Sequence, residues 1–197
     1  MLEKLILNLF SLNIIKFGNF TLKSGEQTYI YADIRSSISH PKIFKEICDL
    51  IYSKMQTINY DVICGVPYSA LTFASGIAYT HSIPMLLKRK ETKQYGTKKI
   101  LEGDFIPGQT CILIEDVVTS GTSIIETIEP IKANGLIVKD VITFIDRNQG
   151  GKEILARNGY TLHSIIDLHT ITNILSNANK ISLEDKSKTL NLINYAQ

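Results

Sequence analysis

The chain has 197 residues, 44% hydrophobic and 20% charged, a composition that excludes disordered, collagen-like and low-complexity classes. Lys and Arg number 21 against 19 Asp and Glu, and a net charge of only +2 argues against a protein built to coat nucleic acid. The charge is unevenly placed: residues 88–99 (KRKETKQYGTKK) hold six basic residues and one acid, net +5, and the rest of the chain is slightly acidic at −3, which suits a local anionic ligand.

A chain of this length suits one domain and buries roughly 70% of its unfolded surface without staples. Leu2, Leu5, Ile6, Leu9, Phe10 and Asn13 recur at helical spacing and predict an amphipathic helix over residues 2–15. Phe17 to Leu22 and Tyr29 to Ile34 read as short strands about the turn Lys23-Ser24-Gly25. His40-Pro41 opens a second helix with Ile43, Phe44, Ile47, Leu50 and Ile51 as its buried stripe. The rhythm then changes to short, nearly continuous apolar runs at 61–66, 84–87, 110–114 and 138–145, the pattern of strands covered on both faces of a parallel sheet. Helical stretches at about 68–80, 121–134 and 151–158 separate them, so the expectation is an α/β domain with right-handed crossovers. Residues 180–197 read as a polar, helical tail. No internal repeat or linker interrupts the chain.

Three cysteines, Cys48, Cys64 and Cys111, are widely spaced and form neither a CxxC nor a Cys/His cluster, so they read as small buried hydrophobes in a reducing compartment. His40, His81, His163 and His169 show no metal spacing and read as structural or surface residues. Glu3, Lys4 and Asn8 break up the apolar N-terminus, and no apolar run nears the roughly 20 residues of a membrane span. The expectation is a cytoplasmic protein with no membrane or nucleic-acid partner.

Residues 110–123 (TCILIEDVVTSGTS) carry the chemistry. An apolar strand ends in two acids, Glu115 and Asp116, and a loop of small hydroxylated residues with Gly121 leads into a helix. Ligands of open parallel sheets bind beyond the carboxyl ends of the strands. The free N–H groups of Thr119 to Thr122 can surround a phosphate at the helix N-terminus, with hydroxyls from Thr119, Ser120, Thr122 and Ser123 beside them. Acids next to an anion site make sense if they hold ribose hydroxyls or a bridging metal. The Walker GxxxxGK[ST] and GxGxxG patterns are both absent. Gly65-Val66-Pro67-Tyr68-Ser69-Ala70, after another buried strand, is a second anion-cradle candidate or a plain proline turn.

The run Ile114-Glu115-Asp116-Val117-Val118-Thr119-Ser120-Gly121-Thr122 resembles the phosphoribosyl-diphosphate (PRPP) motif of type I phosphoribosyltransferases. Phe17 to Gly25 (FGNFTLKSG), Arg89 to Gly96 (RKETKQYG) and Phe144-Ile145-Asp146-Arg147 resemble, in the same order, the N-terminal signature, mobile loop and late strand of orotate phosphoribosyltransferase. The likeness covers about residues 17–170 and is especially close to the phosphoribosyltransferase half of eukaryotic UMP synthase, whose decarboxylase half has no room here.

The resemblance implies one domain over residues 1–197, with a central, mostly parallel sheet flanked by helices and a small hood from about residues 1–40. It implies transfer of ribose 5-phosphate from PRPP to orotate, giving orotidine 5′-monophosphate and pyrophosphate in pyrimidine (UMP) biosynthesis. Lys93, Asp116 and Glu115 would be catalytic. PRPP would be held by Lys23, Tyr68, Ser69, Arg89, Lys90, Lys93, Tyr95, Glu115, Asp116 and residues 117–123 (Val117, Val118, Thr119, Ser120, Gly121, Thr122, Ser123). Orotate would meet Tyr31, Ala32, Thr119 and Arg147, the last through a guanidinium fork suited to a planar carboxylate. Mg²⁺ would be held mainly by PRPP oxygens and water. The implied assembly is a homodimer with active sites shared across the interface; the relation to UMP synthase leaves open an association with a separate orotidylate decarboxylase. Tyr95 stands where many relatives have His; it can donate to a phosphate but does not titrate near neutrality. Two rivals remain: a purine or uracil phosphoribosyltransferase, which would lack the FTLKSG and RKETK pair, and a PRPP-sensing regulator, disfavoured because only Lys4 and Lys16 are basic before Phe17.

Overall fold

The computed structural model describes residues 2–21, 27–90 and 100–195. The first helix, α1 (Leu2–Ser11), buries Leu5, Ile6 and Leu9. It stops four residues short of the expected 2–15. Asn13 adopts φ 55°, and the Ile14 and Asn13 amides donate to the Leu9 and Phe10 carbonyls, a Schellman end that turns the chain. Strand β1 (Ile15–Thr21) then pairs antiparallel with β2 (Gln27–Ala32), with an irregularity in register between Phe17 and Phe20. A short 3-10 turn over Ile34–Ser39 leads to α2 (Pro41–Met55), opened by Pro41, whose missing N–H costs nothing in the first turn.

The larger sheet is built from β3 (Val62–Gly65), β4 (Met85–Lys88), β5 (Leu101–Glu102), β6 (Cys111–Val118), β7 (Asp140–Asp146) and β8 (Thr161–Asp167) in the order β5-β4-β3-β6-β7-β8. Neighbours are parallel except β4 and β5. Helices α3 (Ser69–His81), α4 (Thr122–Ala133) and α5 (Gly151–Arg157) connect successive parallel strands, as the alternating pattern predicts. The crossover through α3 moves outward from β3 to β4, whereas those through α4 and α5 move the other way, from β6 to β7 to β8. Right-handed crossovers in opposite directions put their helices on opposite faces of the sheet. The strand interiors are accordingly apolar on both faces: Ile63, Cys64, Cys111, Ile112, Leu113, Ile114, Val141, Ile142, Phe144 and Ile145 are fully buried.

Strands β5 and β8 and helix α6 escape the sequence pattern. Strand β8, at the edge of the sheet, buries only Leu162 and Ile166, so it shows no continuous apolar run. Helix α6 (Leu168–Asn177) follows it at once, started by Asp167, whose carboxylate accepts from the Thr170 amide at 2.7 Å. The polar tail is helix α7 (Leu183–Tyr195), begun by a reciprocal pair in which Ser182 and Asp185 each accept the other's backbone N–H at 3.0 Å. Asp185 also accepts from the Tyr29 hydroxyl at 2.8 Å, tying α7 to β2. None of the described helices is long and apolar enough to cross a membrane. The three cysteines are free and buried. His163 sits 2.7 Å from Asp140, His81 stacks on Tyr52, and no cluster of three or more metal-ligating residues occurs among the described residues.

One glycine joins this frame to the cleft above it. A Cβ on Gly65, at the end of β3, would lie 2.5 Å from the Ala70 carbonyl oxygen, so the turn into α3 closes only over a bare backbone. Overpacking there should cost Gly65→Ala about 1–3 kcal/mol, read as a lower urea midpoint; a midpoint equal to wild type would contradict the tight closure.

Candidate active site

Strand order reverses between β3 and β6: the chain leaves β3 toward β4 on one side and leaves β6 toward β7 on the other. Connections that diverge in this way open a crevice at the carboxyl ends of the two strands. A cleft of about 430 Å³ occupies that place. Its floor is Glu115, Asp116 and Val117 of β6, one side is Pro67 and Ser69 after β3, and another is Thr119 and Ser123 around the start of α4. Tyr31 and Ala32, from the end of β2, and Arg35, from the turn that follows, close it from above.

Strand β6 does not end in the acids, as the sequence suggests, but runs two residues further to Val118. It pairs through Glu115 with Thr143, Val117 with Ile145 and Val118 with Asp146, so both acids sit within a sheet strand. Glu115 is 4% exposed and Asp116 9%. Glu115 accepts from the Asp116 amide at 3.1 Å and from the Ser123 hydroxyl at 3.0 Å. Burial, reinforced by the neighbouring Asp116 charge, pushes the Glu115 carboxyl well above the ordinary range and favours its neutral form.

The loop after β6 is shaped by two glycines. Gly121 takes φ 77° as the residue before α4, a conformation that a side chain would strain. Gly151, at the start of α5, packs against the loop so closely that a Cβ would lie 2.5 Å from the Thr119 carbonyl oxygen. No side chain caps α4, so its first N–H groups remain available to a ligand. The Ser120 and Thr122 hydroxyls are 2.9 Å apart beside them.

The other expected residues fall in three groups. Tyr68, Arg89 and Lys90 line an adjoining cavity of about 530 Å³ with Leu71, Leu87, Lys88 and Glu102. There Arg89 pairs with Glu102 at 2.9 Å and Lys90 lies 5.4 Å from the centre of the Tyr68 ring. The peptide bond from Pro67 to Tyr68 is cis. Arg147 is 5% exposed and does not line the cleft. Its Nε donates to Gln149 at 2.7 Å and its Nη2 to the Thr28 hydroxyl at 2.9 Å, so the guanidinium joins the end of β7 to β2. Lys23, Lys93 and Tyr95 lie outside the described residues.

Sequence reasoning missed Arg35 and Pro67 as cleft residues. Pro67 stands inside the turn that the reading already singled out. Arg35 falls just past the expected strand, and only the Asp33-Ile34-Arg35 spacing, which lets the two charges pair at 2.6 Å, could have drawn attention to it.

The family model for the phosphoribosyl transferase domain matches residues 36–170, which span the whole of β3 through β8. The chain is 44% identical to uridine 5′-monophosphate synthase of Bos taurus over 93% of its own length and 39% of that protein's. It therefore spans about two-fifths of the UMP synthases it matches, those of Bos taurus and Naegleria gruberi. It is 39% identical to an orotate phosphoribosyltransferase of Caenorhabditis elegans, with 93% of this chain and 82% of that one covered. Among solved structures, the orotate phosphoribosyltransferase of Aeropyrum pernix superposes with a TM-score of 0.76 at 30% identity, over 89% of this chain and 99% of that one. The acid pair, the glycine-shaped loop and the sheet reversal all lie within the matched residues 36–170, and the chain belongs to the phosphoribosyltransferase family and, within it, to the orotate phosphoribosyltransferases.

Proposed function

We propose that this protein transfers the ribose 5-phosphate of PRPP to orotate, releasing pyrophosphate and forming orotidine 5′-monophosphate. One observation carries the reading: two buried acids and an uncapped helix N-terminus share one cleft at the sheet reversal, which suits a ligand with both hydroxyls and a terminal phosphate. The N–H groups and hydroxyls of residues 119–123 receive the 5′-phosphate. Asp116 accepts from the ribose hydroxyls, and Glu115, whose burial favours the neutral form, stands beside it. Ser69 and the turn before it face the diphosphate. Tyr31 and Ala32 flank the base, and Arg147 steadies the hairpin that carries them through its bond to Thr28; the carboxylate contact that the resemblance implies for Arg147 would require this buried guanidinium to exchange a partner.

In the reaction, the bond from the ribose C1 to the pyrophosphate oxygen breaks and a bond from C1 to the orotate ring nitrogen forms. The protein positions both partners and compensates charge as it shifts onto the leaving pyrophosphate. Lys93, from the basic segment, neutralises that leaving group. Among the described residues the cleft offers a pair of acids rather than a full ligand cage, which suits Mg²⁺ shared with substrate phosphates. Bound in that way, Mg²⁺ would neutralise the diphosphate.

The molecule works as a cytoplasmic homodimer in this reading. Exposed Tyr68 and Leu87 beside the basic residues of the second cavity favour a partner subunit there, with Arg89, Lys93 and Tyr95 serving the partner's PRPP and Lys90 its own. The free, buried cysteines suit a reducing compartment. Association with a separate orotidylate decarboxylase would reproduce in two chains what the longer UMP synthases join in one.

Three measurements test these assignments. Losing one charge-assisted hydrogen bond is worth about 1.5–3 kcal/mol, so Asp116→Asn should lower turnover roughly ten- to a hundredfold with the fold intact; near-wild-type turnover would sink the role of Asp116. The raised Glu115 pKa means that stability is complete below the ordinary glutamate range and is lost as pH rises through that range toward the folded-state value. Glu115→Gln removes that loss, so its melting temperature should exceed that of the wild type at pH 8 and converge with it at acid pH. A constant difference across pH would show that Glu115 is not held neutral. For the shared site, Lys93→Ala and Asp116→Asn proteins are mixed and allowed to exchange subunits. About half the dimers become mixed, each with one intact site, so about a quarter of wild-type activity should return; no recovery after proven exchange would place each loop over its own subunit.

A further inference from the structure

Arg35 is the cationic side chain that lines the cleft among the described residues, and the reaction outlined above gives it no task. It projects from the 3-10 turn after β2, whose Tyr31 and Ala32 form the same wall. Its Nε donates to Asp33 Oδ1 at 2.6 Å and its Nη2 to the Tyr31 hydroxyl at 3.3 Å. A guanidinium has five N–H donors, so after these two bonds it retains three for a ligand. The side chain is 59% exposed, within reach of a molecule entering the cleft, while Asp33 fixes its direction from behind.

The charges around it explain why an entering anion would need it. Asp116 acts on Arg35 through space. Asp33 and Arg35 offset one another, and burial biases Glu115 toward its neutral form, which leaves Asp116 as the charge that repels an anionic substrate. With its charge offset by Asp33, the Arg35 guanidinium meets that repulsion through the three directional donors it keeps on the cleft wall. Arg147 is less available for this, because it is buried with its Nε and Nη2 engaged by Gln149 and Thr28.

We propose that Arg35 binds an oxyanion of a substrate in the cleft, either the planar carboxylate of the base or the diphosphate of PRPP. The proposal rests on the functional reading above. It predicts that Arg35 is a contact residue rather than a support for Asp33.

The test compares wild type, Arg35→Gln and Arg35→Lys. Initial rates are measured with orotate and PRPP varied in turn, and the affinity of each substrate alone is measured by calorimetry. Loss of a charge-assisted contact at a partly exposed site should raise the constant for one substrate about tenfold in Arg35→Gln, change the other less than twofold, and leave melting unaltered. Arg35→Lys, which keeps the charge without the fork, should recover part of the loss. A rise confined to orotate assigns the carboxylate; a rise confined to PRPP assigns the diphosphate. Unchanged constants for both substrates in a wild type that turns orotate over would overturn the role of Arg35 alone. Equal weakening of both with lowered melting would make it a structural residue and overturn it too. A wild type that binds neither substrate would overturn the functional reading and this proposal together.

Discussion

Two adjacent carboxyl groups in the middle of a parallel sheet are the constraint around which the molecule is arranged. A sheet covered on both faces selects apolar residues, and β6 obeys that selection for four residues before Glu115 and Asp116 break it. Buried acids are tolerated where they are hydrogen-bonded or neutral. Glu115 meets both conditions: the Asp116 amide and the Ser123 hydroxyl satisfy its oxygens, and burial favours its protonated form. Two adjacent buried acids beside a cleft point to a functional rather than a folding role.

Several features of the frame keep those two groups accessible. The sheet reversal parts the connections above them. Gly65 and Gly151 each let one backbone approach another at a distance that a side chain would forbid, and Gly121 lets the loop turn into α4 without covering the acids. The N-terminal hairpin forms the roof and is held at two points. Arg147 bonds to Thr28 from the end of β7, and Asp185 of α7 accepts from Tyr29 on the same strand. The C-terminal helix, polar over most of its surface, is thereby linked to the wall of the cleft through β2.

Much of this was legible in the sequence because local chemistry and tertiary demand agree there. The continuous apolar runs of β3, β6 and β7 could belong only to strands covered on both faces, and the loop from Thr119 to Gly121 announces a helix start. Disagreement arises where long-range pairing decides. Strand β6 runs past the acids because pairing with β7, rather than side-chain polarity, carries it to Val118. Helix α1 ends before its spacing predicts because Asn13 fits helical spacing yet takes the left-handed conformation. Strand β8 lacks an apolar run because it lies at the sheet edge. Arg35 escapes the sequence reading for a related reason: a residue number states that an arginine follows a strand, while its exposure depends on what packs over it. Arg147 is covered by the hairpin, and Arg35 opens into the cleft.

The account stands most directly on which base accepts the ribose phosphate. Pyrophosphate release from PRPP should be followed with orotate, adenine, hypoxanthine and uracil offered separately to the same preparation. The structure and its family predict rapid release with orotate and little with the other three. Preference for a purine or for uracil, or binding of PRPP without release on any base, would contradict it.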